Sequence, residues 1–271
     1  MNQEYRNKFA IAALKDDGSV VTWGGDSYDN VYGNDSSEVE HLLSFGVSQI
    51  FSNSYSFAAL KEDGSVVTWG NQYNGGDSSE VSDQLSSGVK RIFSNQYCYA
   101  ALKEDGSVVT WGNRFDGGDS SEVSDHLTGV TNIFSTDQAF AALRNDGSVV
   151  TWGDSDYGGD SLPLIFDLDG GVEKIQSSNK AFAALKNDGS VVTWGGSNDG
   201  GDSSAVSDQL SGVTNIFATD NAFAALKNDG SVVTWGGEIG GDSTEVAEQL
   251  ESEVIEICLL YTSPSPRDSC A

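Results

Sequence analysis

One octapeptide, Asp-Gly-Ser-Val-Val-Thr-Trp-Gly, begins at Asp17, Asp63, Asp105, Asp146, Asp188 and Asp229, and it constrains the fold more than any other feature of the chain. Its tryptophans, Trp23, Trp69, Trp111, Trp152, Trp194 and Trp235, stand 46, 42, 41, 42 and 41 residues apart and are all the tryptophan present. A fixed period of about 40 to 50 residues marks an array in which each unit buries its apolar faces on its neighbours. The longer first interval comes from four extra residues between Trp23 and Asp35, placed in the loop after the tryptophan strand, where insertions are tolerated. Residues 181–196 and 222–237 both read AFAALKNDGSVVTWGG, as duplication of one unit requires.

Each unit reads as strands joined by turns. Val130 to Phe134 alternates as a half-buried strand, a polar corner follows at Ser135 to Gln138, and Phe140 to Leu143 is a short apolar run expected to be buried on both faces. Asn145-Asp146-Gly147 then predicts a type I′ hairpin turn, with Gly18, Gly64, Gly106, Gly147, Gly189 and Gly230 supplying the positive φ. The chain returns through Ser148 to Gly153, apolar on both sides at most positions, so neighbouring units cover both faces. After it, Asp77 is placed to cap one or two turns of helix, with Glu80 as capping-box partner and Val81 and Leu85 on one face. The fourth unit departs, with Leu162-Pro163-Leu164-Ile165-Phe166 in this slot and a different contact expected there. The expected fold class is all-β: a propeller of about six blades, each of three to four antiparallel strands plus a short capping helix. An open β-repeat array or a solenoid is the alternative. Burial between blades accounts for the six tryptophans better than a stacking platform does.

This core, x-Leu-x-x-Asp-Gly-x-Val-x-x-Trp-Gly followed by a Gly-rich loop and a Val-x-x-Ile strand, resembles the regulator-of-chromosome-condensation repeat family across residues 5–257. The resemblance implies a β-propeller, usually of seven blades. It also implies one of three roles: nucleotide exchange on a small nuclear GTPase, chromatin binding, or recruitment within HECT-type ubiquitin ligases. The chain departs from the family where Gly117-Gly118-Asp119-Ser120 and its equivalents stand in place of Gly-Gln-Leu-Gly, and where Ser135 to Gln138 replaces Gly-x-x-His. No exchange residue carries over.

Residues 1–257 are expected to form one repeat domain, cut at both ends. Glu4 and Tyr5 occupy the slots of Ile50 and Phe51, so the chain starts inside a unit; Val254 to Ile257 reads as a strand that either supplies the one missing from the first unit and closes a six-bladed ring or belongs to the next blade of a longer array. Residues 258–271 break the pattern, and CLLYTSPSPRD within them is similar to a translated sequencing adapter, a non-native tail.

Against 14 Lys and Arg stand 41 Asp and Glu, a net charge of −27, which disfavours a phosphate backbone and leaves direct nucleic-acid binding outside the expectation. No apolar stretch approaches the roughly 20 residues of a membrane span. Without the tail only Cys98 remains, a small buried residue in an alanine slot, and His41 and His126 fall at non-equivalent positions without metal-ligand spacing. No catalytic motif appears, so no enzyme and no cofactor are expected within these residues, with a catalytic domain beyond the cut left open. Repeated carboxylates, Asp77, Asp119, Asp160, Asp202 and Asp242, are the sole candidates for calcium, though helix capping explains them without an ion. The leading expectation is a non-catalytic scaffold for basic protein partners, intracellular because cysteine is scarce. The alternatives are the substrate-recruiting region of a HECT-type ligase and a calcium-binding surface repeat protein.

Overall fold

Every repeat builds its own antiparallel sheet. The computed structural model describes residues 7–25 and 33–258. The readings made for Glu4 and Tyr5, for most of the first-repeat insertion and for the tail after Cys258 lie outside these residues. In the first repeat β1 (Ala10–Leu14) pairs with β2 (Val20–Gly24). Five three-stranded sheets follow: β3 (Val47–Ser52), β4 (Ser56–Lys61) and β5 (Val66–Gly70); β6 (Val89–Ser94), β7 (Cys98–Lys103) and β8 (Val108–Gly112); β9 (Val130–Ser135), β10 (Ala139–Arg144) and β11 (Val149–Gly153); β12 (Val172–Ser177), β13 (Ala181–Lys186) and β14 (Val191–Gly195); β15 (Val213–Ala218), β16 (Ala222–Lys227) and β17 (Val232–Gly236). The chain divides into two compact units between Ile133 and Phe134, within β9.

Strand order within each three-stranded sheet follows the sequence, so the strand carrying the Ala-Ala-Leu run is central there. The first five residues of β4, β7, β10 and β13 are all buried, as a strand covered on both faces requires. In the N-terminal unit, Ala58, Leu60 and Leu85 of one repeat pack with Ile92, Tyr99, Ala101, Val109 and Trp111 of the next. The C-terminal unit repeats this with Ala183, Leu185 and Leu210 against Ile216, Phe223, Ala225, Val233 and Trp235. Alanines keep neighbouring sheets close; the tryptophan fills the remaining space.

Three local expectations are corrected. The Asp-Gly hairpin is not type I′, because that turn needs positive φ at both central residues, and only the glycine has it. Gly64 (φ +76) donates to the Lys61 carbonyl at 3.0 Å while the Lys61 amide donates to Ser65 at 2.9 Å, a three-residue loop with a left-handed glycine closing it. The capping helix is a 3₁₀ turn, Ser79–Val81 in the second repeat and Ser121–His126 in the third. Asp77 precedes it and accepts from the Ser79 amide at 2.9 Å, so the capping box with Glu80 is replaced by a local Asp turn. Finally, residues 254–257 are not a strand; Val254 donates to the Gly230 carbonyl at 3.0 Å, and Ile255 beyond it is exposed.

Candidate interaction surface

The two ends of each sheet differ in what they can offer a partner. At one end lie the Asp-Gly turns, which are used to join repeats. The Gly18 carbonyl accepts the Val47 amide, and Gly64 that of Val89, each at 3.0 Å; Gly189 and Val213 repeat the bond at 3.0 Å in the C-terminal unit. Within each turn the aspartate is committed locally. Asp63 Oδ1 accepts both the amide and the hydroxyl of Ser65, at 2.9 and 2.6 Å, and the equivalent bonds form at Asp17, Asp105, Asp146, Asp188 and Asp229. The serine hydroxyl bond and then its amide bond hold these carboxyls below their ordinary range, Asp17 down to about 2.

The opposite end carries the corner between the first and central strands, and a buried polar side chain organises it. Asn53 is fully buried: its Oδ1 accepts the Tyr55 and Ser56 amides, each at 2.8 Å, and its Nδ2 donates to the Asn74 carbonyl at 2.7 Å. Asn95 does the same one repeat later, reaching the Asp116 carbonyl at 2.6 Å, while Thr136 and Ser178 take the slot with shorter side chains. These anchors tie the corner to a second 3₁₀ turn that directly follows the tryptophan strand: Gln72–Asn74, Arg114–Asp116, Ser155–Tyr157 and Ser197–Asp199. Asn71 caps the first of these by accepting from Tyr73 and Asn74. Sequence reading saw a polar corner and a Gly-rich loop, without the anchor or this turn.

What holds the turn also explains the Gly-Gly-Asp-Ser wording. Gly75 leaves the turn at φ +92, and a Cβ on Gly76 would sit 2.3 Å from the Gly70 carbonyl oxygen. Thr68 on the tryptophan strand then bonds the Gly76 carbonyl at 3.1 Å and the Ser78 hydroxyl at 2.9 Å. The same Thr-Ser contact recurs at Thr110–Ser120, Thr151–Ser161, Thr193–Ser203 and Thr234–Ser243. From the second repeat to the fifth the frame of the turn is therefore fixed, while the residue at its outer position varies: Tyr73, Phe115, Asp156 and Asn198, with Ile239 in the corresponding place of the differently folded sixth-repeat turn. Tyr73 and Phe115 are each 74% exposed, and Arg114 lies 5.4 Å from the Phe115 ring centre. In the C-terminal unit Leu162, Ile165 and Phe166 are exposed around the Pro163 turn, and Ile239 is exposed as well.

The remaining sequence candidates have definite places. Asp77, Asp119, Asp160, Asp202 and Asp242 are exposed, and each accepts the amide two residues on at 2.9 to 3.0 Å. Among the described residues no three His, Cys, Asp or Glu side chains gather to hold a metal. His41 and His126 are exposed. Cys98 is buried, its thiol donating to Asn95 Oδ1 and the Asp116 carbonyl at 3.0 Å each, and burial pushes its pKa well up. Trp69, Trp111, Trp152, Trp194 and Trp235 are buried and stack on Phe57, Tyr99, Phe140, Phe182 and Phe223 at 5.2 to 5.5 Å. Trp23 is 48% exposed.

No family model and no curated protein matches the chain. Among solved structures it is similar to the ectodomain of the Physcomitrella patens receptor kinase CR4, at 17% identity and a TM-score of 0.47 over 87% of this chain and 62% of that one. It thus spans about three fifths of the moss ectodomain. Prp20p from Saccharomyces cerevisiae, described with its binding to Gsp1p and histones, matches at 16% identity and a TM-score of 0.47 over 85% of this chain and 70% of the other. The CRINKLY WD40 ectodomain of the Arabidopsis thaliana receptor kinase ACR4 matches at 15% identity and a TM-score of 0.47, covering 87% and 83% respectively.

Proposed function

We propose that the protein is a non-catalytic protein-interaction scaffold built of repeats of the regulator-of-chromosome-condensation type, with its sheets acting as propeller-like blades. One observation carries the reading. The second to fifth repeats spend the Trp-Gly and the Gly-Gly-Asp-Ser on holding the same 3₁₀ turn, and present at the tip of that turn a side chain that differs between repeats. A large exposed apolar residue costs solubility and contributes nothing to the turn, so Tyr73 and Phe115 are understood as contacts for a partner. The surrounding carboxylates, Glu80 and Asp83 in one repeat and Glu122 and Asp125 in the next, are exposed and favour a partner with basic residues flanking an apolar one.

Fluorescence anisotropy with a labelled peptide library of Lys/Arg-flanked aromatic sequences tests this. Selected peptides are expected to lose at least tenfold in affinity to Tyr73→Ala/Phe115→Ala and to bind more weakly as salt rises. Peptides that bind the double variant as tightly as the original chain read only the net charge, and that result overturns the assignment.

A further inference from the structure

The 3₁₀ turn that begins two residues after each Gly-Gly-Asp has an inner and an outer side, and the fourth repeat turns the outer side apolar. In the second repeat Val81 and Leu85 pack on the core, while Ser79, Ser82 and Asp83 are exposed; the third and fifth repeats also place Ser, Ser and Asp at these outer positions. In the fourth repeat Leu164 and Leu168 keep the inner side, packed with Val172, Phe182 and Trp194. Its outer positions are Leu162, Ile165 and Phe166, which are 72%, 55% and 91% exposed.

The frame beneath these side chains is the common one. Thr151 bonds the Ser161 hydroxyl, Asp160 accepts the Leu162 amide and the Leu164 amide donates to the Ser161 carbonyl, each at 2.9 Å, as Thr68, Asp77 and Val81 do in the second repeat. Pro163 falls in the first turn, where no amide is needed. The three apolar side chains therefore stand on a fixed backbone and lose little freedom on binding. They add nothing to the core, which Leu164 and Leu168 already fill.

Charge decides what covers them. Asp156, Asp160, Asp167 and Asp169 are exposed on either side of the apolar run, and from Asn145 to Glu173 the sequence has no Lys or Arg. Lys186 reaches the turn, its Nζ donating to the Asp167 carbonyl at 2.7 Å, one cation among four carboxylates. A second copy is a poor fit, because both copies carry a net charge of −27 and three side chains cannot supply the about 800 Å² per partner that stable pairs bury. We infer that Leu162, Ile165 and Phe166 form a docking site for a basic amphipathic helix, whose apolar stripe takes the three side chains and whose Lys and Arg meet the flanking carboxylates. The site uses none of the residues proposed at Tyr73 and Phe115 and stands without them.

Fluorescence anisotropy with the labelled peptide LKKLLKKLLKKLLKKL tests this on the full chain carrying Tyr73→Ala/Phe115→Ala, so that the other proposed site does not contribute. Leu162→Ser/Ile165→Ser/Phe166→Asp gives the turn the side chains that the same frame holds in the second repeat, so the melting temperature is expected to persist. That variant should bind the peptide about tenfold more weakly or worse, although it is the more acidic chain. Binding as tight as before, or tighter, would mean that the peptide reads net charge alone, and the site would be lost. The converse graft, Ser79→Leu/Ser82→Ile/Asp83→Phe, should raise the stoichiometry from one peptide per chain to two, and an unchanged stoichiometry overturns the assignment. Sedimentation velocity without peptide, and flotation with phosphatidylcholine vesicles, address the two other occupants. A dimer, or a vesicle-bound chain, that disappears in the first triple variant would assign the patch to self-contact or to lipid and overturn the proposal.

Discussion

At the scale of single residues, the closest tolerances are in the turn after each tryptophan strand. Gly76 has ordinary negative φ, yet a Cβ there would lie 2.3 Å from the Gly70 carbonyl oxygen, which is backbone and cannot move aside. Gly170 makes the comparison clean: its φ is also not positive, and its nearest neighbour would be the Asp146 carbonyl oxygen at 3.8 Å. Gly76→Ala is therefore expected to destabilise by roughly 2 kcal/mol or more and Gly170→Ala to stay within about 0.5 kcal/mol, as read by urea unfolding. Equal costs at the two positions would refute the steric argument. The aspartates of the Asp-Gly turns yield a pH prediction. Their folded pKa lies below the unfolded value, so they stabilise the fold above the unfolded pKa and lose that contribution as pH falls through the folded one. The melting-temperature gap between the original chain and Asp63→Asn should then be full at neutral pH and shrink as pH drops below 3.8, the ordinary value from which Asp63 is lowered. A gap that is constant down to pH 2 would show that charge plays no part.

Elements in this protein take their form from what crosses between them. The central strand and the tryptophan hairpin were legible in the residue pattern, because burial on both faces leaves a continuous apolar run and Asp-Gly leaves a turn. The capping helix was misread for a specific reason. Asp-Ser-Ser-Glu has the spacing of a capping box, but Thr68 holds the Ser78 hydroxyl at 2.9 Å, so the serine at the start of the turn is engaged sideways instead of capping it. Asn53 was hidden for a similar reason: whether a polar corner is buried depends on the turn folded over it some 20 residues later, which no local pattern records. Tryptophan position was legible while its exposure was not, and this gives an element-scale prediction. Trp111→Phe removes a buried ring and leaves the Gly75 carbonyl without its indole donor, which should cost about 2–4 kcal/mol in chemical unfolding. Trp23→Phe, the same change at the same repeat position, should cost less than about 0.5 kcal/mol because the ring is half in solvent.

Across the whole molecule the charge balance opposes folding. The 41 carboxylates face 14 Lys and Arg, and among the described residues the ion pairs are Lys15–Asp17, Arg144–Asp146 and Lys174–Glu173, at 3.4, 3.4 and 4.0 Å. All three are at least partly exposed and local in sequence, so there is little attraction for salt to weaken and much repulsion for it to screen. Added sodium chloride should therefore raise the melting temperature, by about 2–4 °C for each kcal/mol of repulsion removed in a chain of this size. Calcium chloride at matched ionic strength separates screening from binding. The five exposed aspartates after the tryptophan strands already accept from the amides two residues on, and among the described residues none of them gathers with two further His, Cys, Asp or Glu side chains. An equal rise in the two salts is the expected result. A further increase in calcium, abolished by Asp119→Ala and Asp202→Ala, would show that loop carbonyls complete a site around these carboxylates, and the screening account would give way to specific cation binding.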